Sequence, residues 1–251
     1  MEHDVLVAQQ FGSTAHAYLE SVTHATGEDL KLLAQEIATV PDATVLDLGC
    51  GAGHASFAVA PHAASVVAYD LTAEMLSVVD REASARTLGN ITTVQGMAEK
   101  LPFPDAHFDL AITRTSAHHW HDVAAALREA YRVIKPGGRM LMIDTAGGDT
   151  PLLDTHLQAV EILRDPSHIR NYTTQEWMAF FRQAGFTATF RKQWPLPIEF
   201  SAWIERMRTS PERVAAIHAI WNTAPDEVRS YFEVQPDGSF ILQKIFIAAK
   251  R

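Results

Sequence analysis

The sequence predicts an α/β protein with a parallel sheet covered by helices on both faces. Three observations carry that prediction. Between positions 43 and 144, short β-branched runs alternate with helical segments of 10–15 residues, the pattern of βαβ units. The first run stops in three glycines, Gly49, Gly51 and Gly53, before a helix. The second run stops in an acid, Asp70.

Residues 13–22 and 28–39 read as helices, and Leu30, Leu33, Ala34 and Ile37 share one face of the second. Residues 43–47 form a buried strand. Residues 65–69 form another, after which Thr72 is placed to cap a helix running to Arg86. Residues 91–95 are a third strand, and Pro102, Pro104 and Asp105 mark a loop before a fourth at 108–113. Asp122 caps a helix whose inner face is Val123, Ala126, Leu127, Ala130 and Tyr131. Pro136, Gly137 and Gly138 stop it and turn the chain into a strand over 139–144. Thr173 and Glu176 spell a capping box for a helix ending at Gly185, and residues 186–192 suit a sixth strand. Ser210 and Pro211 start a helix carrying Val214, Ile217, His218 and Trp221. A turn at Pro236-Asp237-Gly238 leads into a last strand over 240–249. Residues 197–235 therefore interrupt the last two strands with a helical insertion that folds onto the body.

A chain of 251 residues fits one α/β domain, with a core large enough to need no disulfide or metal staple. With 21 basic and 30 acidic residues the formal charge is −9, which disfavours a nucleic-acid partner. No apolar run reaches a membrane span, and the first ten residues lack a basic-then-apolar leader. The single cysteine, Cys50, excludes an internal disulfide, and a reduced cytoplasmic setting is expected. The twelve histidines are unusual for this length.

The segment Val45 to Gly53 is the most informative. Missing side chains let backbone approach a ligand, and the following helix offers free N–H groups. An acid at the end of the next strand, Asp70, suits a pair of ribose hydroxyls. Together they point to an adenosine-type cofactor, against the plainer reading of a glycine turn with no ligand. The spacing G-x-G-x-G departs from the dinucleotide G-x-G-x-x-G, and Asp47 suits a cationic ligand better than a pyrophosphate.

The run Asp47-Leu-Gly-Cys-Gly-Ala-Gly53 resembles motif I of the class I S-adenosylmethionine (SAM)-dependent methyltransferases. Further matches follow in order: Asp70-Leu71 with Met75, Ala98-Glu99-Lys100-Leu-Pro-Phe103, Phe108-Asp109-Leu110, and Val133-Ile-Lys-Pro-Gly-Gly138. The set is similar to the branch holding the ubiquinone/menaquinone-biosynthesis C-methyltransferases, and it is strong over residues 40–145. The resemblance implies a Rossmann-like, doubly wound seven-stranded sheet, mostly parallel, with an antiparallel last strand. It implies one domain: an N-terminal helical lid over 1–40, a cofactor-binding core over 41–146, and the helical cap over 197–235. SAM is the implied cofactor, with a small molecule as acceptor, apolar or aromatic if the C-terminal aromatics line its pocket; a homodimer is left open.

The resemblance also assigns roles. Gly49 and Gly51 let backbone touch the methionine and ribose, and Asp70 takes both ribose hydroxyls. Leu71 and Met97 sandwich the adenine beside Ala98 and Glu99, with Met75 close by. Many relatives carry an acid where Met97 stands. Asp47 lies near the methionine amino group, and Arg114 faces its carboxylate, unless Arg114 is only an ion pair. Tyr18 belongs to a segment that closes over SAM. His118, His119 and His121 follow the fourth strand. Crowded neighbours seldom reach one ion, so no metal is expected. His119 is the preferred base or positioning group and His24 the weaker one, against a plain packing role. Cys50 reads as a small packing residue. The C-terminal aromatics read mostly as core, with a substrate pocket as the alternative. Two rival functions stay open here: a nucleotide-dependent oxidoreductase, and a SAM-binding protein without turnover.

Overall fold

In the computed structural model, residues 2–12, 19 and 27–251 are described. The helix expected over 13–22, with Tyr18, and the candidate His24 lie outside them, apart from Leu19. Helix α1 (His3–Gly12) and α2 (Glu28–Ile37) precede β1 (Thr44–Leu48). Then come α3 (His54–Val59), β2 (Ser65–Asp70), α4 (Ala73–Ala85), β3 (Ile91–Gln95) and β4 (Phe108–Arg114). A short 3₁₀ turn, Ala117–His119, leads to α5 (Val123–Val133) and β5 (Ile134–Thr145). The last third adds α6 (Pro151–Arg164), α7 (Thr174–Gln183) and β6 (Thr187–Ile198). Three cap helices, α8 (Phe200–Arg206), α9 (Pro211–Thr223) and α10 (Asp226–Tyr231), precede β7 (Phe240–Lys250).

The seven strands lie in the order β3-β2-β1-β4-β5-β7-β6. The pairs among β1 to β5 are parallel, and β7 runs antiparallel to both β5 and β6. The order reverses at β1, with β2 on one side and β4 on the other, and ligands of such sheets bind beyond the carboxyl ends at that point. Each face has its own core. Leu33 and Ile37 of α2 pack with Val45, Ile112 and Leu141 on one side, and Leu127 of α5 packs with Leu46, Met140 and Phe181 on the other. All of these side chains are fully buried, so each contributes about 1.5–3 kcal/mol.

Several local expectations are borne out. Asp122 Oδ1 accepts the Ala125 N–H at 2.9 Å, and Thr173 with Glu176 forms the reciprocal capping box. Others are corrected. Thr72 and Ser210 occupy N-cap positions without a side-chain cap bond. The fifth strand starts at Ile134, ahead of the Pro136-Gly137-Gly138 turn, because the chain makes a register shift there against β4. The sixth strand starts at Thr187 and runs past Lys192 to Ile198, through Pro195 and Pro197. It is an edge strand, and prolines two apart place both missing N–H groups on the outer side. The cap helices therefore begin at Phe200, three residues later than expected. Their own core joins Leu157 and Val160 of α6 to Trp203, Ile217 and Trp221.

Candidate functional site

The strand ends, α1, α6 and the cap together enclose a cavity of about 280 Å³. Every described residue proposed from sequence lines it: Asp47, Gly49, Gly51, Asp70, Leu71, Met75, Met97, Ala98, Glu99, Arg114 and His119. Residues 72 positions apart in sequence, Asp47 and His119, meet there because five parallel strands all end on this side.

The three loop glycines do different work. Each has a left-handed backbone, with φ of +73°, +52° and +87° at Gly49, Gly51 and Gly53. A Cβ at Gly53 would stand 2.7 Å from Phe57 Cζ and 2.9 Å from Val79 Cγ2, so packing demands that glycine. At Gly49 it would stand 1.9 Å from Ser116 Oγ. That position is held to glycine by the protein itself, rather than only by ligand approach as sequence implied. At Gly51 a Cβ would meet nothing within 4 Å among the described residues, although the residue lines the cavity.

Two acids flank this loop. Asp70 Oδ2 accepts the Gly51 N–H at 2.8 Å and Oδ1 accepts the Thr72 N–H at 2.9 Å. Burial pushes its pKa up, and those backbone N–H groups oppose the rise. Asp47 is 1% exposed; its Oδ2 accepts from Ser56 Oγ at 2.6 Å, and Oδ1 has no partner among the described residues. Burial pushes the Asp47 carboxyl from 3.8 to about 6. Cys50 is buried, and burial raises its thiol, as a packing role requires.

Arg114 is not on the surface. Its Nε donates to Asp29 Oδ2 at 2.7 Å, and the same oxygen accepts from Lys244 Nζ at 2.7 Å. All three side chains are at most 7% exposed. Burial raises Asp29, yet Arg114 and Lys244 carry it down to about 2. One carboxylate thus faces two cations, and both cations line the cavity.

The histidines meet at the other end. His118 Nδ1 donates to Asp144 Oδ1 at 2.7 Å, and His119 Nδ1 donates to the Ser167 carbonyl at 3.1 Å. Their rings lie 4.2 Å apart, and Phe11 of α1 meets His119 edge-on at 4.9 Å. Burial and the neighbouring His118 push His119 down to about 4. Burial also pushes His118 down, but Asp144 together with Glu161 and Asp165 outweighs it and the net direction is up. Among the described residues no three His, Cys, Asp or Glu side chains converge to hold a metal ion. Of the C-terminal aromatics, Trp203 lines the cavity; Trp177, Phe181 and Trp221 are core.

Sequence reasoning missed Asp144, Glu161, Asn171 and Lys244, which line or brace this wall. Asp144 stands one residue before the end of β5, much as Asp70 ends β2, a signal that was available. Lys244 inside the apolar run 240–249 was another.

A family profile described as "Methyltransferase domain" matches residues 46–142. YafE of Escherichia coli (strain K12) is 48% identical over 81% of this chain and 98% of its own. The uncharacterised methyltransferase YcgJ of Bacillus subtilis (strain 168) is 37% identical over 88% of each chain. The crystal structure of YcgJ matches with a TM-score of 0.85 at 36% identity, over 88% of this chain and 97% of that one. Malonyl-[acyl-carrier protein] O-methyltransferase of Pseudescherichia vulneris is 30% identical over 84% of this chain and 80% of its own.

Proposed function

Since this chain belongs to the SAM-dependent methyltransferases, we propose that the cavity is where it moves a methyl group from SAM to a small acceptor. The observation that carries the assignment is Gly51, whose missing side chain leaves open space on the cavity wall beside Asp70. Backbone bared in this way, at the switch point of the sheet, suits close contact with a ribose and its substituents. The orphaned Asp47 Oδ1 fits the same cofactor, because a bound ammonium would supply the partner it lacks.

The roles follow from these positions. Each Asp70 oxygen accepts one backbone bond and keeps capacity for a ribose hydroxyl. Leu71 and the exposed Met97 offer apolar faces to the adenine, with Ala98 and Glu99 at its edge. Glu99 Oε1 is fixed by the Asp122 N–H at 3.1 Å, and Met75 packs beneath the loop. Arg114 and Lys244 share one carboxylate, so positive charge is left over for the cofactor's carboxylate. His119, neutral near pH 7, acts as a positioning wall of the acceptor chamber. Tyr18 and His24 remain expectations.

SAM supplies a sulfonium-activated methyl group that needs no further activation. The protein's share is alignment and exclusion of water. Holding reactants in line at about 3 Å contributes several kcal/mol, within the roughly 7–11 available from orientation. The cavity is concave and lined by both apolar and polar side chains, as small-molecule sites are. Calorimetry with S-adenosylhomocysteine tests the reading. Wild type should bind, and Asp70→Ala should lose about 1.5–3 kcal/mol of affinity. Wild type that fails to bind refutes the reading; an unchanged Asp70→Ala refutes the ribose assignment.

A further inference from the structure

We propose that His118, braced by Asp144, is the base that takes a proton from the acceptor, and that the acceptor is a phenol or enol on an apolar body. This rests on the methyltransferase reading above. The geometry begins with Asp144 at the end of β5, which is 1% exposed. Its Oδ2 accepts the Ala117 N–H at 2.9 Å, and its Oδ1 accepts from Thr145 N at 2.8 Å and from His118 Nδ1 at 2.7 Å. Three donors lock the carboxylate. The backbone of His118 is held as firmly, because its carbonyl accepts the Ile169 and Arg170 N–H groups at 3.0 and 3.2 Å.

With the proton on Nδ1 committed to Asp144, Nε2 is the basic nitrogen. The ring lines the cavity, and no hydrogen bond from the described residues reaches Nε2. The titratable and charged groups around it are Asp144 on β5, Glu161 on α6, Asp165 just beyond it, His119 alongside, and His168, whose ring lies 5.7 Å away. Asp144, with Glu161 and Asp165 behind it, outweighs burial and keeps the imidazole basic. His119 is the poorer base: its Nδ1 is committed to a neutral carbonyl, and its pKa of about 4 gives it little hold on a proton.

The acceptor class follows from the rest of the wall. Asn171 is 2% exposed and lines the cavity, yet neither Nδ2 nor Oδ1 has a partner among the described residues. A buried amide in that state calls for a ligand carrying both a donor and an acceptor. Leu196, Ile198, Trp203 and Leu242 supply the apolar side. In the step itself, the acceptor O–H breaks and its proton passes to His118 Nε2. The oxygen's electron pair forms the new O–C bond as the sulfonium C–S bond breaks, and that pair stays on sulfur as a neutral thioether.

The probe is 4-nitrocatechol, whose visible absorbance shifts when its hydroxyl ionises, added to protein saturated with S-adenosylhomocysteine. The pH midpoint of the bound chromophore should lie about one unit below that of the free one, about tenfold in ionisation constant. His118→Gln should return it to the free value or above. Asp144→Asn should move it in the same direction, with circular dichroism and S-adenosylhomocysteine affinity showing that each variant is folded. Asn171→Ala should weaken probe binding about tenfold and leave the midpoint in place. A bound midpoint equal to the free one, or equal in wild type and His118→Gln, overturns the proposal. So does a probe that fails to bind protein already holding S-adenosylhomocysteine, and the methyltransferase reading then stands. Protein that does not bind S-adenosylhomocysteine would sink that reading instead.

Discussion

Replacing Asp47 by Asn should stabilise the ligand-free protein and weaken its hold on the cofactor. The folded-state pKa of Asp47 is raised from 3.8 to about 6, so between those values the folded protein keeps a proton that the unfolded chain has released. The stability this provides is fully present below the lower value and is lost as pH rises through the upper one. By pH 7 the protein carries a buried, half-partnered carboxylate at a cost of about 3 kcal/mol. Asn keeps the shape and an oxygen acceptor for Ser56, and it removes the charge. Stabilisation of about 2–3 kcal/mol is expected at pH 7, a melting point higher by roughly 4–10 °C for a chain of this size. The gain should shrink to near zero at about pH 4. S-adenosylhomocysteine should bind the variant at least tenfold more weakly, since its ammonium then meets a neutral amide. Wild-type affinity should fall about tenfold from pH 7 to pH 5 as Asp47 protonates. Scanning calorimetry across pH and titration calorimetry check both halves. A variant no more stable than wild type at pH 7, with equal affinity, would refute the account of Asp47 as a destabilised ligand-binding charge.

The other positions separate packing from binding. Gly51→Val should leave a folded protein, losing about 1–2 kcal/mol to its left-handed backbone, and should abolish S-adenosylhomocysteine binding. Gly53→Val, aimed at Phe57 and Val79, should fail to fold cooperatively in circular-dichroism melts. Asp29→Ala strands two buried cations and should cost about 3–5 kcal/mol in urea denaturation. Thr173→Ala removes a formed capping box on α7 and should cost about 1 kcal/mol in the same assay, with cofactor affinity unchanged.

The sheet was legible because its buried strands are continuous apolar runs with abrupt glycine or acid ends, as at Leu48 and Tyr69. Caps made by neighbours in sequence, Asp122 and Thr173, were legible for the same local reason. Two helices were not found. In α1, Val5, Leu6 and Val7 are consecutive, so no stripe stands out, and none of its residues is buried. In α6 the signal existed: Thr150 and Pro151 open it, and Leu153, Leu157 and Val160 follow at helical spacing. Within the site, the glycine loop and Asp70 could be read because their chemistry is local. The partners of Arg114 could not, since Asp29 lies 85 residues away and Lys244 comes from the far end of the chain. The choice between His118 and His119 depended on Asp144, 26 residues on, and no spacing rule connects them.

The attachment of α1 bears on how fast the enzyme can turn over. Asp4, Val7 and Phe11 wall the cavity from one side, while Ala202 and Trp203 of α8 wall it from another. Gln10 Nε2 donates to the Met207 carbonyl at 3.2 Å, and His3 Nε2 bonds the Ser167 carbonyl at 3.0 Å, so α1 is fastened to the ground next to the cap. Phe11 of the same helix also packs edge-on against the His119 ring, so any molecule that passes α1 on its way in or out has to part three contacts at once.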